Sequence, residues 1–353
     1  MTGVRVLPAG ELTPALVASW ARIQRGNAIY ASPFLHPAFT QLVSRARPDV
    51  HVAVLERGGE AVGFFPFQRS RLGIGRPAGW SMCDYQAVVV DSDVEWSAQK
   101  LMAACGLRSL EFDHLLAAQE QFLPFHRAKS ASLVADLSNG FDDYERGQQR
   151  AGIRTFGRLR SRWRRLEREH GPVRFEPHAT DPAALTTLLA WKSAQYRHTG
   201  VADLLAQPWF RQVIESASRA ASDGFGGLLS ALYANDRPVA LHLGLRSDSV
   251  WHYWLPAHEA DPAFSRCSPG LLLILAMTQH AESVGIRALD FGKGETRHKR
   301  EFANAEVPLA EGSVGTSALA KALRWRRRAR ALAQRTALGP RARRLVNRGL
   351  SRS

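Results

Sequence analysis

Five side chains able to hold charge or move a proton, Asp290, Lys293, Glu295, His298 and Lys299, crowd into one short stretch of the chain. They follow the run Arg287-Ala288-Leu289-Asp290-Phe291, which reads as a strand closing on Gly292-Lys293-Gly294-Glu295. Open α/β sheets bind ligands beyond the carboxyl ends of their strands, so a base and cationic anchors are expected here. Just upstream, Ser268-Pro269-Gly270 opens the apolar run Leu271 to Met277. Ser268 suits an N-cap, Pro269 suits the first helical position, and Gly270 has no side chain to block the approach. The free N–H groups and positive dipole end of such a helix make an anion site into which a pyrophosphate fits. The plainer reading is a well-formed helix start that binds nothing. Because the helix is apolar all round for its first two turns, it should be buried with its start facing a cleft. A third group is Lys192, Gln195 and Tyr196. Lys192 and Tyr196 continue the apolar stripe of Leu185, Leu188 and Leu189, so the lysine either snorkels outward or shares a polar cleft with its two neighbours.

These groups need elements to carry them. Val250 to Leu255 reads as an aromatic strand, Pro256 to Cys267 as a loop, and then come the helix and the second strand. Earlier in the chain, Leu12 to Gln24 and a stretch ending near Arg47 read as helices. His51 to Leu55 and Ala61 to Gln68 form a hairpin around Gly58-Gly59. Trp80 to Val90 reads as a strand with Cys83-Asp84-Tyr85 in its middle, followed by a helix near Trp96 to Cys105 and a strand from Ser109 to Phe112. The same order returns: a second hairpin, Leu228 to Tyr233 and Pro238 to Arg246, turns at Asn235, 177 residues after Gly58. An ancient duplication explains the repeat. Between the halves, Asp142 to His170 reads as one helix with Ile153, Phe156, Leu159, Trp163 and Leu166 on one face. Arg150, Arg154, Arg158, Arg162 and Arg165 occupy the other, either as a solvated basic face or as a rail for phosphate-rich groups.

The chain has 353 residues, enough for two domains, with 45% hydrophobic and 22% charged residues, the composition of a soluble globular protein. No apolar run approaches the length of a membrane span and the N-terminus has no apolar signal core, so a cytoplasmic protein is expected. Cys83, Cys105 and Cys267 are far apart, without metal-ligand spacing, and no metal is expected. Cys267 reads as a packing residue. The net charge is +15, of which twelve Lys or Arg lie after Thr316 with no acidic residue, leaving the remainder at +3. That tail reads as a helical or partly disordered arm, either plainly solvated or able to touch an anionic membrane surface or nucleic acid.

Leu289-Asp290-Phe291-Gly292-Lys293-Gly294-Glu295 with Lys299 and Phe302 resembles the closing motif of the CelD/BcsL family of acetyltransferase-like proteins, within the GNAT (N-acetyltransferase) superfamily. The junction Phe264 to Gly270 resembles the same family, as do Asp84-Tyr85, Arg164-Arg165-Leu166-Glu167 and Trp191 to Tyr196. The similarity runs from about Ser32 to Gly315. It implies an α/β (α+β) protein with a tandem duplicated GNAT-like acyltransferase fold, two mixed sheets flanked by helices and a basic C-terminal helical tail. The divisions expected are residues 1–140 and 173–316 for the two halves, 141–172 for the Arg-rich linking helix and 317–353 for the tail. The family usually has a tyrosine where this chain has His298.

The activity implied is acyl transfer from acetyl-CoA or another acyl-CoA to a sugar or amine, on a polysaccharide or envelope precursor, without an acyl-enzyme. The resemblance places the donor's pyrophosphate on the backbone around Arg266, Ser268, Pro269 and Gly270. A splayed backbone N–H near Trp254 would meet the oxyanion. Glu295 is the first choice for the base and His298 the second, while Lys192 and Lys299 would hold an anionic acceptor or the donor's phosphates. Asp84, Tyr85, Gln195, Tyr196 and Asp290 would line the acceptor side. Two alternatives belong to other classes: a Fem-like transferase fed by aminoacyl-tRNA, and a non-catalytic scaffold in polysaccharide biosynthesis.

Overall fold

The structure is a computed structural model and describes residues 2–315; the basic tail, read as either solvated or able to touch an anionic surface, lies outside them. The first half of the chain runs β1 (Gly3–Pro8), α1 (Pro14–Arg25), α2 (Pro37–Ala46), β2 (Val50–Arg57), β3 (Glu60–Arg69), β4 (Ile74–Pro77), β5 (Val89–Val90), α3 (Ala98–Ala104), β6 (Ser109–Leu116) and β7 (His126–Asp136). Two helices follow, α4 (Phe141–Arg150) and α5 (Thr155–His170). The second half repeats the order with β8 (Val173–Glu176), α6 (Pro182–Thr199), α7 (Pro208–Ser218), β9 (Ala221–Ser222), β10 (Phe225–Ala234), β11 (Arg237–Arg246) and β12 (Val250–His258). It closes with α8 (Pro262–Ser265), α9 (Pro269–His280), β13 (Ala288–Lys293), α10 (Arg297–Phe302) and β14 (Ala305–Val314). The matched hairpin turns even share their backbone: Gly58 and Asn235 both sit at positive φ, 62° and 54°. Among the described residues no helix is long and apolar enough to cross a membrane.

The strands form one mixed sheet in the order β1-β2-β3-β4-β6-β14-β7-β13-β12-β11-β10-β8, rather than the two sheets expected. The halves are joined because each gives its last strand to the other. β7 lies between β14 and β13, and β14 lies between β6 and β7. One face is covered by α1, α2, α6 and α7 over a core that draws on both halves, including Trp20, Phe34, Leu188 and Val213. On the other face α5 and α9 pack over Trp251, Leu273 and Phe291. The expected single helix from Asp142 to His170 is broken at Ala151–Arg154, where Gly152 takes φ 81°. Its arginines therefore do not form one continuous rail.

Trp80 to Val90 is also not one strand; only its last two residues, β5, pair as strand, and they do so with β3. β4 pairs with β6 for only two rungs, Ile74↔Ser109 and Gly75↔Leu110, and then turns away. The chain comes back and lays Gln86 into the gap. Gln86 N donates to His114 O, and Leu116 N donates to Gln86 O, both at 2.9 Å. The Gln86 amide also bonds to the backbone N–H groups of Asp113 and His114. The split of the first half is filled by its own chain, and the loop doing so carries Asp84 and Tyr85 across to the second half.

Candidate active site

The corresponding split of the second half is open. β12 and β13 run parallel for three rungs, from Val250↔Ala288 to His252↔Asp290, and then separate. Two features part them. β13 shifts register against β7 after Asp290, with Gly292 at φ 69°, a left-handed conformation glycine adopts without strain. A Cβ there would also stand 2.8 Å from Asp84 Oδ2. On β12, Pro256 has no N–H to offer a neighbouring strand. Beside the parted strands, between β12, the start of α9 and α10, lies a cleft of about 540 Å³, lined among others by Tyr253, Pro256, His258, Pro269, Gly270 and His298.

α9 starts differently from the capped helix expected. Ser268 makes no side-chain cap and sits at φ 53°, ψ 61°, a strained conformation for a residue with a Cβ. Its hydroxyl instead accepts from Arg162 Nη1 of α5 at 3.1 Å. Pro269 and Gly270 face the cleft, and a Cβ on Gly270 would meet His258 at 3.3 Å. Arg266 is exposed and lies outside the cleft lining.

His298 is half-buried in the cleft wall. Burial, with the charge of Lys299 beside it, lowers its pKa below the ordinary histidine value, which favours the neutral imidazole. Glu295 is not in the wall. It is exposed and paired with Arg300, the fate of a carboxylate in a polar loop with an arginine five residues on. Lys299 donates to the carbonyl oxygens of Gly292 and Lys293 at 3.3 and 3.0 Å, so it braces the loop after β13. Lys192 donates to Pro256 O at 3.0 Å and Gln195 Oε1 at 3.1 Å and lies over the Tyr196 ring. Burial lowers its pKa to about 8. Gln195 lines the cleft; Tyr196 packs behind it.

Trp254 does not serve the cleft as expected. Its backbone N–H donates to His242 Nε2 at 3.1 Å, and its indole N–H donates to Met82 O at 3.0 Å. The fully buried His242, with a pKa lowered to about 3 by burial, is the neutral acceptor this bond requires.

At the last rung before the split lies a polar cluster. His252, fully buried, is 2.9 Å from Asp84 Oδ2 through Nε2, and its Nδ1 is 3.5 Å from Asp290 Oδ1. The Tyr85 hydroxyl donates to Asp290 Oδ2 at 2.5 Å, the Ser132 hydroxyl and Gly292 N–H donate to Asp290 Oδ1. Burial and the Asp290 charge push the Tyr85 hydroxyl far up, so it stays protonated and donating. For Asp84, burial pushes the pKa up, but the hydrogen bond and charge of His252, then His114 and Lys299, outweigh it and the net shift is downward. Asp84, Tyr85 and Asp290, expected to line the acceptor side, sit in this cluster instead, outside the lining of the cleft and with Tyr85 and Asp290 buried. His252, Ser132 and His242 were not legible in the sequence, since each sits at an ordinary inward strand position and gains meaning only through its cross-strand neighbour.

Fold and site together define the class: a mixed α/β protein with a tandem GNAT-like architecture. The family model described as an acetyltransferase (GNAT) domain matches residues 154–300, the part of the chain that builds the open split. Among solved structures, FemX aligns with a TM-score of 0.57 at 12% identity, covering 88% of this chain and 96% of that one. The C-terminal domain of a candidate lysylphosphatidylglycerol synthetase from Agrobacterium fabrum aligns at 0.51 and 14%, covering 91% and 96%. A tandem GNAT protein from the clavulanic acid biosynthesis pathway aligns at 0.50 and 12%, covering 90% and 100%. No curated protein matches the chain.

Proposed function

We propose that the protein is an acyl-CoA-dependent acyltransferase that passes an acyl group directly to an amine or hydroxyl, with a sugar or envelope-polymer precursor as the acceptor. The observation carrying this reading is the open β12/β13 split, with the start of α9 and His298 in its walls. The Gly270 N–H and the positive end of α9 would hold the donor's pyrophosphate, with Arg162 close by to add charge. The unpaired edge of β12 offers polar backbone to the donor's amide arm. His298 is the proposed base in place of Glu295, because it faces the cleft and burial favours its neutral form. Asp84, on the loop that closes the first half's split, would orient the acceptor, backed by His252. Holding two substrates in register supplies much of the acceleration in such a scheme.

Acetyl-CoA should raise the melting temperature, and Gly270→Glu should remove the shift by placing a carboxylate where the phosphates bind. A melting temperature unmoved by any acyl-CoA would reject the reading. The arginines of α5 support a second reading, in which aminoacyl-tRNA is the donor, because Arg162 stands at the mouth of the same cleft. Under that reading tRNA binds with a steep salt dependence and acyl-CoA does not bind.

A further inference from the structure

Lys192 places an amine against the back of the cleft wall, outside the lining itself. It projects from α6, and both oxygens it bonds, Pro256 O and Gln195 Oε1, belong to residues of the cleft wall. Among the described residues no carboxylate lies within ion-pair distance of it, unlike Lys293, which pairs with Glu311. This matters for its protonation chemistry. An ammonium has three N–H donors, whereas a neutral amine has two donors and a lone pair. Lys192 has two hydrogen-bond acceptors, so losing a proton costs it neither bond and removes no ion pair. The Tyr196 ring, 5.3 Å away, favours the cation weakly, while burial opposes it.

Resting on the reading of this cleft as an acyl-donor site, we propose that Lys192 is a self-acylation site, taking the acyl group from a bound acyl-CoA when no acceptor is present. The ammonium first releases a proton to solvent. The Nζ lone pair then forms a bond to the thioester carbonyl carbon, the carbon–sulfur bond breaks, and the departing thiolate takes up a proton to leave as free CoA. The product is a neutral amide on Lys192. It has one N–H instead of two, so only one of Pro256 O and Gln195 Oε1 keeps its partner. The wall between α6 and β12 loses a charge and a hydrogen bond, and the cleft is altered by its own donor.

The test is to incubate the full chain with acetyl-CoA, without acceptor, and quantify acetylation at each lysine by peptide mass spectrometry. Lys100 and Lys129, both exposed, serve as internal standards, and acetyl phosphate serves as a donor that needs no cleft. Lys192 should acetylate on the order of tenfold faster than the two standards with acetyl-CoA, as expected for a held donor. The rate should rise as pH passes through about 8. Acetyl phosphate should show a smaller preference, set only by the lowered pKa of Lys192, and excess CoA, or Gly270→Glu, should abolish the extra preference seen with acetyl-CoA. If acetyl-CoA raises the melting temperature while Lys192 stays unmodified or merely matches Lys100 and Lys129, self-acylation is refuted and the donor site stands. If there is neither a melting shift nor selective modification, both fall together.

Discussion

His298 stands where the family resemblance leads one to expect a tyrosine, and the exchange changes how the site should respond to pH. A base must be unprotonated to accept a proton. With its pKa lowered by burial and by Lys299, His298 is free base over most of the physiological range. Thiol release should therefore fall only as pH drops below the ordinary histidine value of about 6.5. Replacing His298 with Asn should cost on the order of 10²-fold in kcat and flatten that acid limb. A variant with an unchanged limb would place the base elsewhere. Asp84 makes a different prediction, about stability. Its folded pKa is depressed, so its contribution is complete above its unfolded value of about 4 and is lost as pH falls through the folded value. Asp84→Asn should lower unfolding stability by about 1–3 kcal/mol at pH 7, since it weakens a part-buried charged hydrogen bond with His252. In urea titrations the gap between variant and wild type should close at acid pH.

At the scale of elements, sequence and structure agree where local pattern carries the information. The two hairpins, α6, α9, β12 and β13 follow from alternation, turn glycines and a proline at the first helical position. The crossing strands β7 and β14 did not announce themselves. His126 to Asp136 mixes Lys, Arg, Ser and Ala without clean alternation, because this strand is paired on both sides and draws its stability from neighbours distant in sequence. The plug at Gln86 was misread as a strand for a related reason: its backbone is extended, but it bonds to β6 at a single bridge. The interlock is sensitive at Gly312, where β14 shifts register against both of its neighbours. A Cβ there would lie 2.1 Å from Phe125 O and 2.5 Å from the Phe112 ring. Gly312→Ala should destabilise the protein by about 1–3 kcal/mol or more, read from the urea midpoint, although the residue is far from the cleft. A neutral effect would mean that β14 sits more loosely than described.

The whole molecule uses its duplication unequally. Both halves carry a strand pair that parts after two or three rungs, yet one gap is filled by residues around Gln86 and the other opens onto the start of α9. The filling loop is also the one that sends Asp84 and Tyr85 to His252 and Asp290, so the first half gives up its own gap and completes a polar cluster with the second. This division of labour was only partly visible in the sequence, which showed two similar units but not which was spent.

Native mass spectrometry of the purified chain with acetyl-CoA tests the central claim most directly. One donor should bind per chain, and Gly270→Glu should reduce the number to none. Two donors per chain would mean that the first gap is not filled; a wild-type chain that binds no acyl-CoA would mean that the β12/β13 split is not a donor site at all.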